Sequence, residues 1–188
     1  YKLTSGITGF LTSSWVGFKY FLEFFNDTNF WPIVRNTVAI SVLKLIFTFP
    51  IPILFAITLN EVNNLKIKRV VQTVSYLPHF ISWVVVSGMI FSFLNQQNGL
   101  INQILILLGT VEKPLPLLAD PEYFWPMLVI SDVWKEMGWW AIIFLASITG
   151  VDPVLYEAAV VDGAGRMKRI WHITLPSIKG TIIIVLIL

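Results

Sequence analysis

Few residues in this chain are equipped for chemistry, and those few sit in unusual surroundings. Asp132, Lys135 and Glu136 fall inside an apolar stretch, and Lys44 lies about eleven residues into another. Asp132 and Lys135 are three apart and Asp132 and Glu136 four apart, so a helix carries all three on one face. At about 1.5 Å per residue, Lys44 reaches the middle of a membrane-sized helix. Ionisable groups at that depth are costly and turn towards a cavity or a partner. Two readings of the face stand side by side. It is the polar wall of a solute path, with Lys135 offered to the solute, or it is an internal ion pair that fixes helix packing.

Trp134, Trp139 and Trp140 crowd the same stretch. Indole faces line a solute pocket or equally pack against a neighbouring helix; Trp140, four residues after Glu136, is the first to test. His79 follows Pro78, where it either bonds a carbonyl freed by the proline or lines the path. Asn95, Gln96, Gln97 and Asn98 meet an incoming solute or are simply solvated. Catalytic groupings are missing. No G-x-x-x-x-G-K-[ST] loop is present, His79 and His172 are not spaced to share a metal, and no nucleophile neighbours a base. With no cysteine, thiolate metal sites and disulfides are excluded. The sequence therefore predicts no catalytic residue and no metal site. A net charge of +2 without a basic stripe points away from nucleic acid.

The elements that position these groups follow from composition. Hydrophobic residues make up 56% and charged residues 13%, with a mean hydropathy of +0.75. Soluble domains average about 25% charged residues, so the bilayer is the expected solvent for this chain. Spans are expected at Ile33–Leu59, Tyr76–Leu94 and Tyr123–Ile148, with a fourth from Ile178. Pro50 and Pro52 should kink or loosen the first, and Pro78 lies near the start of the second. Ile101–Leu108 is too short to cross, and Pro114, Pro116 and Pro121 constrain the loop around it. Residues 1–30 read as an extracytoplasmic or interfacial segment, because Phe18, Phe21, Leu22 and Phe25 recur at helical spacing. Residues 31–188 read as the transmembrane domain. Loop Asn60–Thr73 carries Lys66, Lys68 and Arg69, and the connection after the third span carries Arg166, Lys168, Arg169 and Lys179, against only Lys113 in Asn95–Glu122. Basic loops are cytoplasmic, so Asn95–Glu122 faces outward. Tyr1 and the short closing run Ile182–Leu188 suggest the middle of a longer protein.

Residues 150–177 form the most informative stretch. They are not apolar enough to span, yet they are rich in helix formers. Asp152-Pro153 is a helix start, a cap followed by proline at the first helical position. That helix should run through Glu157 and end near Gly163 or Gly165, and a second short one should carry Met167–Ile173 until Pro176. Two short helices about a glycine turn make a knob. Ala158, Ala159, Gly163, Ala164 and Gly165 allow close approach of another backbone, while Glu157 and Asp162 offer carboxylates to a partner's Arg or Lys.

Glu157-Ala158-Ala159, Gly163 and Ile173-x-Leu175-Pro176 resemble the EAA motif of permeases in binding-protein-dependent ABC importers. RNTVAIS (35–41), FPIPILFAITLNEV (49–62), VVQTVSYLPHFISWVVVSGMI (70–90) and WKEMGWWAIIFLASI (134–148) are similar to the carbohydrate-uptake branch, nearest to oligosaccharide, alginate- or pectin-type permeases. The resemblance covers about Trp31 to Leu188. It implies an all-α, polytopic helix bundle in the bacterial inner membrane, with 150–177 as a coupling loop seated on an ATPase. Glu157, Ala158, Ala159, Asp162, Gly163, Gly165 and Arg166 would make that contact. It further implies a second, non-identical permease, an ATPase dimer that alone binds ATP and Mg, and an extracytoplasmic solute-binding protein. The substrate path would draw on Lys44, His79, Asp132, Lys135, Glu136 and Trp140. Rival readings are a secondary transporter that uses Asp132 and Glu136 for ion coupling, an importer of another solute, and an intramembrane enzyme or scaffold.

Overall fold

The computed structural model describes residues 16–188; the part of the N-terminal expectation that falls on 1–15 lies outside them. Every regular element among the described residues is helical, and they group into two units that divide after Val42. In the first unit, α1 (Lys19–Asn26) has no buried residue. Its aromatic side chains stay exposed, Phe18 at 76% and Phe21 at 63%. Phe21, Leu22 and Phe25 lie on this helix, with Phe18 just before it.

From Phe30 the chain forms a helix of 31 residues to Asn60, the one described helix long and apolar enough by itself to cross a membrane. It comprises α2 (Phe30–Leu43), a π-helical segment at Lys44–Thr48 and α3 (Pro50–Asn60). Pro50 was expected to loosen this span, and the structure shows how the chain absorbs it. Proline has no N–H and its ring displaces the preceding turn. The turn widens, and Phe49 N–H donates to the Lys44 carbonyl five residues back at 3.1 Å.

The second expected span needs correction. Asn60–Thr73 is not a loop but mostly α4 (Leu65–Tyr76), started by the Asn64 carboxamide accepting from Lys66 and Ile67 N–H. A 3-10 turn at Leu77–Phe80 follows, then α5 (Trp83–Leu94). The two arms are bent by 100°. Pro78 sits in the turn, and Ser82 caps the new helix through Val85 N–H. At 12 residues, α5 is about 18 Å long, short of the roughly 30 Å of hydrocarbon. Unbroken hydropathy concealed the elbow.

In the next connection, α6 (Leu100–Leu107) is pinned by Asn102, 2% exposed. Its carboxamide donates to the Asn95 and Leu115 carbonyls and accepts from Leu115 N–H at 2.9 Å. Helix α7 (Pro121–Thr149) covers the third expected stretch, with Pro126 inside it. Then come α8 (Pro153–Val161), α9 (Arg166–Arg169), a second π segment at Ile170–Thr174, α10 (Leu175–Ser177) and α11 (Lys179–Ile187). Bends of 69° between α7 and α8 and of 57° before α11 leave up to four spans if each bent pair counts as one.

The core of the second unit lies where α3 meets α7: Ile53, Ala56, Ile57 and Leu59 against Ala141, Phe144, Leu145 and Ile148, with Ile178 joining. Lipid is as apolar as leucine, so association here rests on close packing and small residues. Ala56 is fully buried and Ala141 nearly so. At the α4–α7 crossing, Gly138 is indispensable, because any Cβ there would collide with the backbone carbonyl of Ser75.

Candidate functional site

Two sites emerge, one inside the bundle and one projecting from it. The inner one is built on α7. Asp132, 4% exposed, accepts from Lys44 at 3.0 Å, the first residue of the π segment. A buried carboxylate is stable only when paired, and Lys44, half-exposed at 46% of its side chain, supplies the charge. One turn on, Lys135 and Glu136 turn to the elbow. The Glu136 carboxylate accepts from His79 Nδ1 at 2.8 Å and from Lys135 Nζ at 3.2 Å. Lys135 Nζ also donates to the His79 carbonyl at 2.7 Å and lies 5.3 Å from the centre of the Trp83 ring.

This arrangement explains how a 100° bend survives. The turn ends at Phe80, so the carbonyl of His79 has no continuing helix to bond it. A buried ammonium takes it, and positive charge is favourable at a helix C-terminus. The same ammonium faces Trp83, the first residue of the other arm, so Lys135 grips both sides of the elbow.

The structure thus splits the face read from the sequence: Asp132 pairs with Lys44, while Lys135 and Glu136 pair with His79. His79 bonds a carboxylate rather than a proline-freed carbonyl. Its ring stacks on Trp139, centroids 4.4 Å apart and 4° from parallel. Trp140 packs against the α3–α7 core instead. Trp139, Trp83 and Gly138 carry no sequence signal beyond residue type, since contact across the elbow is what defines them.

The projecting site is the 150–177 segment. Asp152 caps α8 through Val154 N–H at 2.9 Å, with Pro153 at the first turn. Helix α8 has no buried residue. It ends in a Schellman turn: Gly163 takes φ +75°, its N–H bonds the Val160 carbonyl, and Ala164 N–H bonds the Ala159 carbonyl at 2.8 Å. Glycine populates positive φ without the Cβ penalty. Glu157 and Ala158 are exposed on α8, Ala159 is half-buried, and Asp162, Gly163, Gly165 and Arg166 are exposed around the turn. Val161 is 87% exposed and Met167 65%. The second short helix extends further than expected, Arg166 to Ser177, because its π segment tolerates Pro176 as the first one does Pro50. Tyr156 ties α8 back through its hydroxyl to Thr174, 2.9 Å away. Arg166 and Glu61, 3.9 Å apart and solvent-exposed, add little.

Residues 48–188 match the family described as binding-protein-dependent transport system inner membrane component. The chain is 45% identical to protein LplB of Bacillus subtilis over all 188 residues, 58% of that protein. It is 46% identical to the polygalacturonan/rhamnogalacturonan transport system permease protein YteP of the same organism, covering 96% of this chain and 56% of that one. A chain in the crystal structure of a bacterial ABC transporter involved in the import of the acidic polysaccharide alginate superposes with TM-score 0.89 at 41% identity, over 94% of this chain and 61% of that one. The chain thus spans less than two thirds of the relatives it matches. With the family model covering three quarters of its length and the helical elements in agreement, the chain belongs to the binding-protein-dependent transport system inner membrane components.

Proposed function

We propose that this chain forms part of the translocation path of an ATP-driven importer for carbohydrate, with oligosaccharide or polysaccharide fragments as cargo. The observation that carries the proposal is the knob at 150–177, which has a capped helix without one buried residue and a glycine turn at positive φ. Val154, Leu155, Val160 and Val161 stand exposed beside Glu157 outside any expected span, an apolar surface that a partner would cover. In this reading the partner is a separate ATPase dimer, which binds ATP and Mg. Glu157, Asp162 and Arg166 meet its surface, and Ala158, Ala159, Gly163 and Gly165 allow the approach. The knob faces the cytoplasm with the basic residues around it. A second, non-identical permease completes the path, and an extracytoplasmic solute-binding protein delivers cargo at Asn95–Glu122.

In this reading Lys44, Asp132, Lys135, Glu136 and His79 stand along the path, held by their mutual ion pairs and hydrogen bonds, with Trp139 stacked on His79. The names of the pectin-type and alginate relatives support the same class of cargo. Ion coupling through Asp132 and Glu136 is disfavoured, because both carboxylates already hold lysine partners.

The test is uptake into proteoliposomes that contain this chain with its second permease, ATPase and binding protein. Glu157→Lys should leave insertion intact and abolish both uptake and solute-stimulated ATP hydrolysis. Normal uptake by that variant removes the knob from the mechanism.

A further inference from the structure

The knob carries a second feature on its other side. An open cleft of about 390 Å³ runs between α8 and the start of the following helix, with Ala159 and Ala164 among its lining and Asp162, Lys168, Arg169 and His172 around them. Arg169 is half-buried, and its Nε is shielded from solvent with no hydrogen-bond partner among the described residues. A buried donor of a charged group left unsatisfied is expensive. His172 spends Nδ1 on the Lys168 carbonyl at 2.9 Å, which leaves Nε2 for another contact. Asp162, the one carboxylate there, joins no ion pair among the described residues.

We propose that this cleft receives one acidic side chain, an Asp or Glu carboxylate, from the ATPase subunit. The inference rests on the docking role proposed for 150–177 and adds a contact of opposite sign to that of Glu157. The exposed Lys168 ammonium, with the guanidinium of Arg169 beside it in the lining, supplies charge-assisted donors suited to a carboxylate. Lys168 and Arg169 outnumber the single carboxylate, Asp162, in the lining, which suits a monoanion; Asp162 disfavours a dianionic phosphate. A protein occupant is favoured over a lipid headgroup because two of the lining residues, Ala159 and Asp162, belong to the same turn and helix as Glu157. One anionic and one cationic contact on a single small knob also set its orientation. A reversed approach would set like charges against each other.

The experiment uses the complete transporter in proteoliposomes. Arg169→Gln and, as a second probe of the same cleft, Lys168→Glu should each lower solute-stimulated ATP hydrolysis about tenfold or more, as expected for a lost charge-assisted contact. Arg169→Lys should fall between, since it keeps the charge and loses the planar guanidinium. In the Lys168→Glu background, Asp/Glu→Arg reversal at the ATPase surface should restore coupling at one position. If Glu157→Lys uncouples the transporter while both cleft variants couple normally, this inference fails and the docking reading stands. If Glu157→Lys is itself harmless, the docking reading fails with it. If no ATPase reversal rescues, and the defect disappears in vesicles without phosphatidylglycerol, the occupant is a lipid headgroup and the proposal is overturned.

Discussion

The elbow and the knob are built from the same kinds of residue and use them in opposite directions. At the elbow, Lys135 is buried and both of its polar contacts are internal. On the knob, Glu157 and Asp162 are exposed and Arg169 Nε has no hydrogen-bond partner among the described residues. Internal pairing serves the fold; unpaired groups on a surface that buries nothing are left for something else. The difference teaches where to look for function in a membrane chain: at charges whose partners are missing rather than at charges that are merely deep.

Substitutions at the two places should therefore fail in different ways. The largest effect is expected for Lys135→Ala. It leaves Glu136 with His79 alone and the His79 carbonyl unbonded, a loss of about 3–5 kcal/mol as for other broken buried pairs. Assembly should collapse, read as lost monodisperse complex on size exclusion. A well-assembled Lys135→Ala that transports poorly would assign Lys135 to the path instead. Gly138→Ala comes next, since overpacking costs about 1–3 kcal/mol and here the obstacle is the Ser75 backbone. Its thermal midpoint should drop clearly, while Gly180→Ala, with open space around it, should leave the midpoint nearly unchanged.

Gly163→Val probes the knob. Forcing a β-branched residue to φ +75° costs about 1–3 kcal/mol locally. The complex should assemble normally and lose coupled ATP hydrolysis and uptake; equal loss of assembly would erase the distinction between the two regions. The smallest effect is expected for Asp152→Ala, which removes the cap of α8 for about 1 kcal/mol. Coupling should weaken several-fold, and Asp152→Asn should restore most of it.

Much of the knob was legible beforehand because its determinants are local. A cap, a proline at the first turn and a glycine requiring positive φ act within a few residues of one another, so Asp152, Pro153 and Gly163 announce the motif in order. The bend in the second stretch was not foreseen, for the complementary reason. Hydropathy from Tyr76 to Leu94 is unbroken, and Pro78 by itself is compatible with a kinked helix. The bend is held by Lys135 and Glu136, more than fifty positions away in sequence.

The sequence by itself determined the solvent, the helical class, the basic character of two segments and the shape of 150–177. These follow from composition and from interactions between near neighbours. Tertiary structure alone decided that Asp132 pairs with Lys44, that Lys135 grips an elbow, that Trp139 rather than Trp140 meets His79, and that Arg169 Nε is shielded without a partner among the described residues. Helical periodicity assigns a residue to a face; only the packing of other helices decides what that face meets.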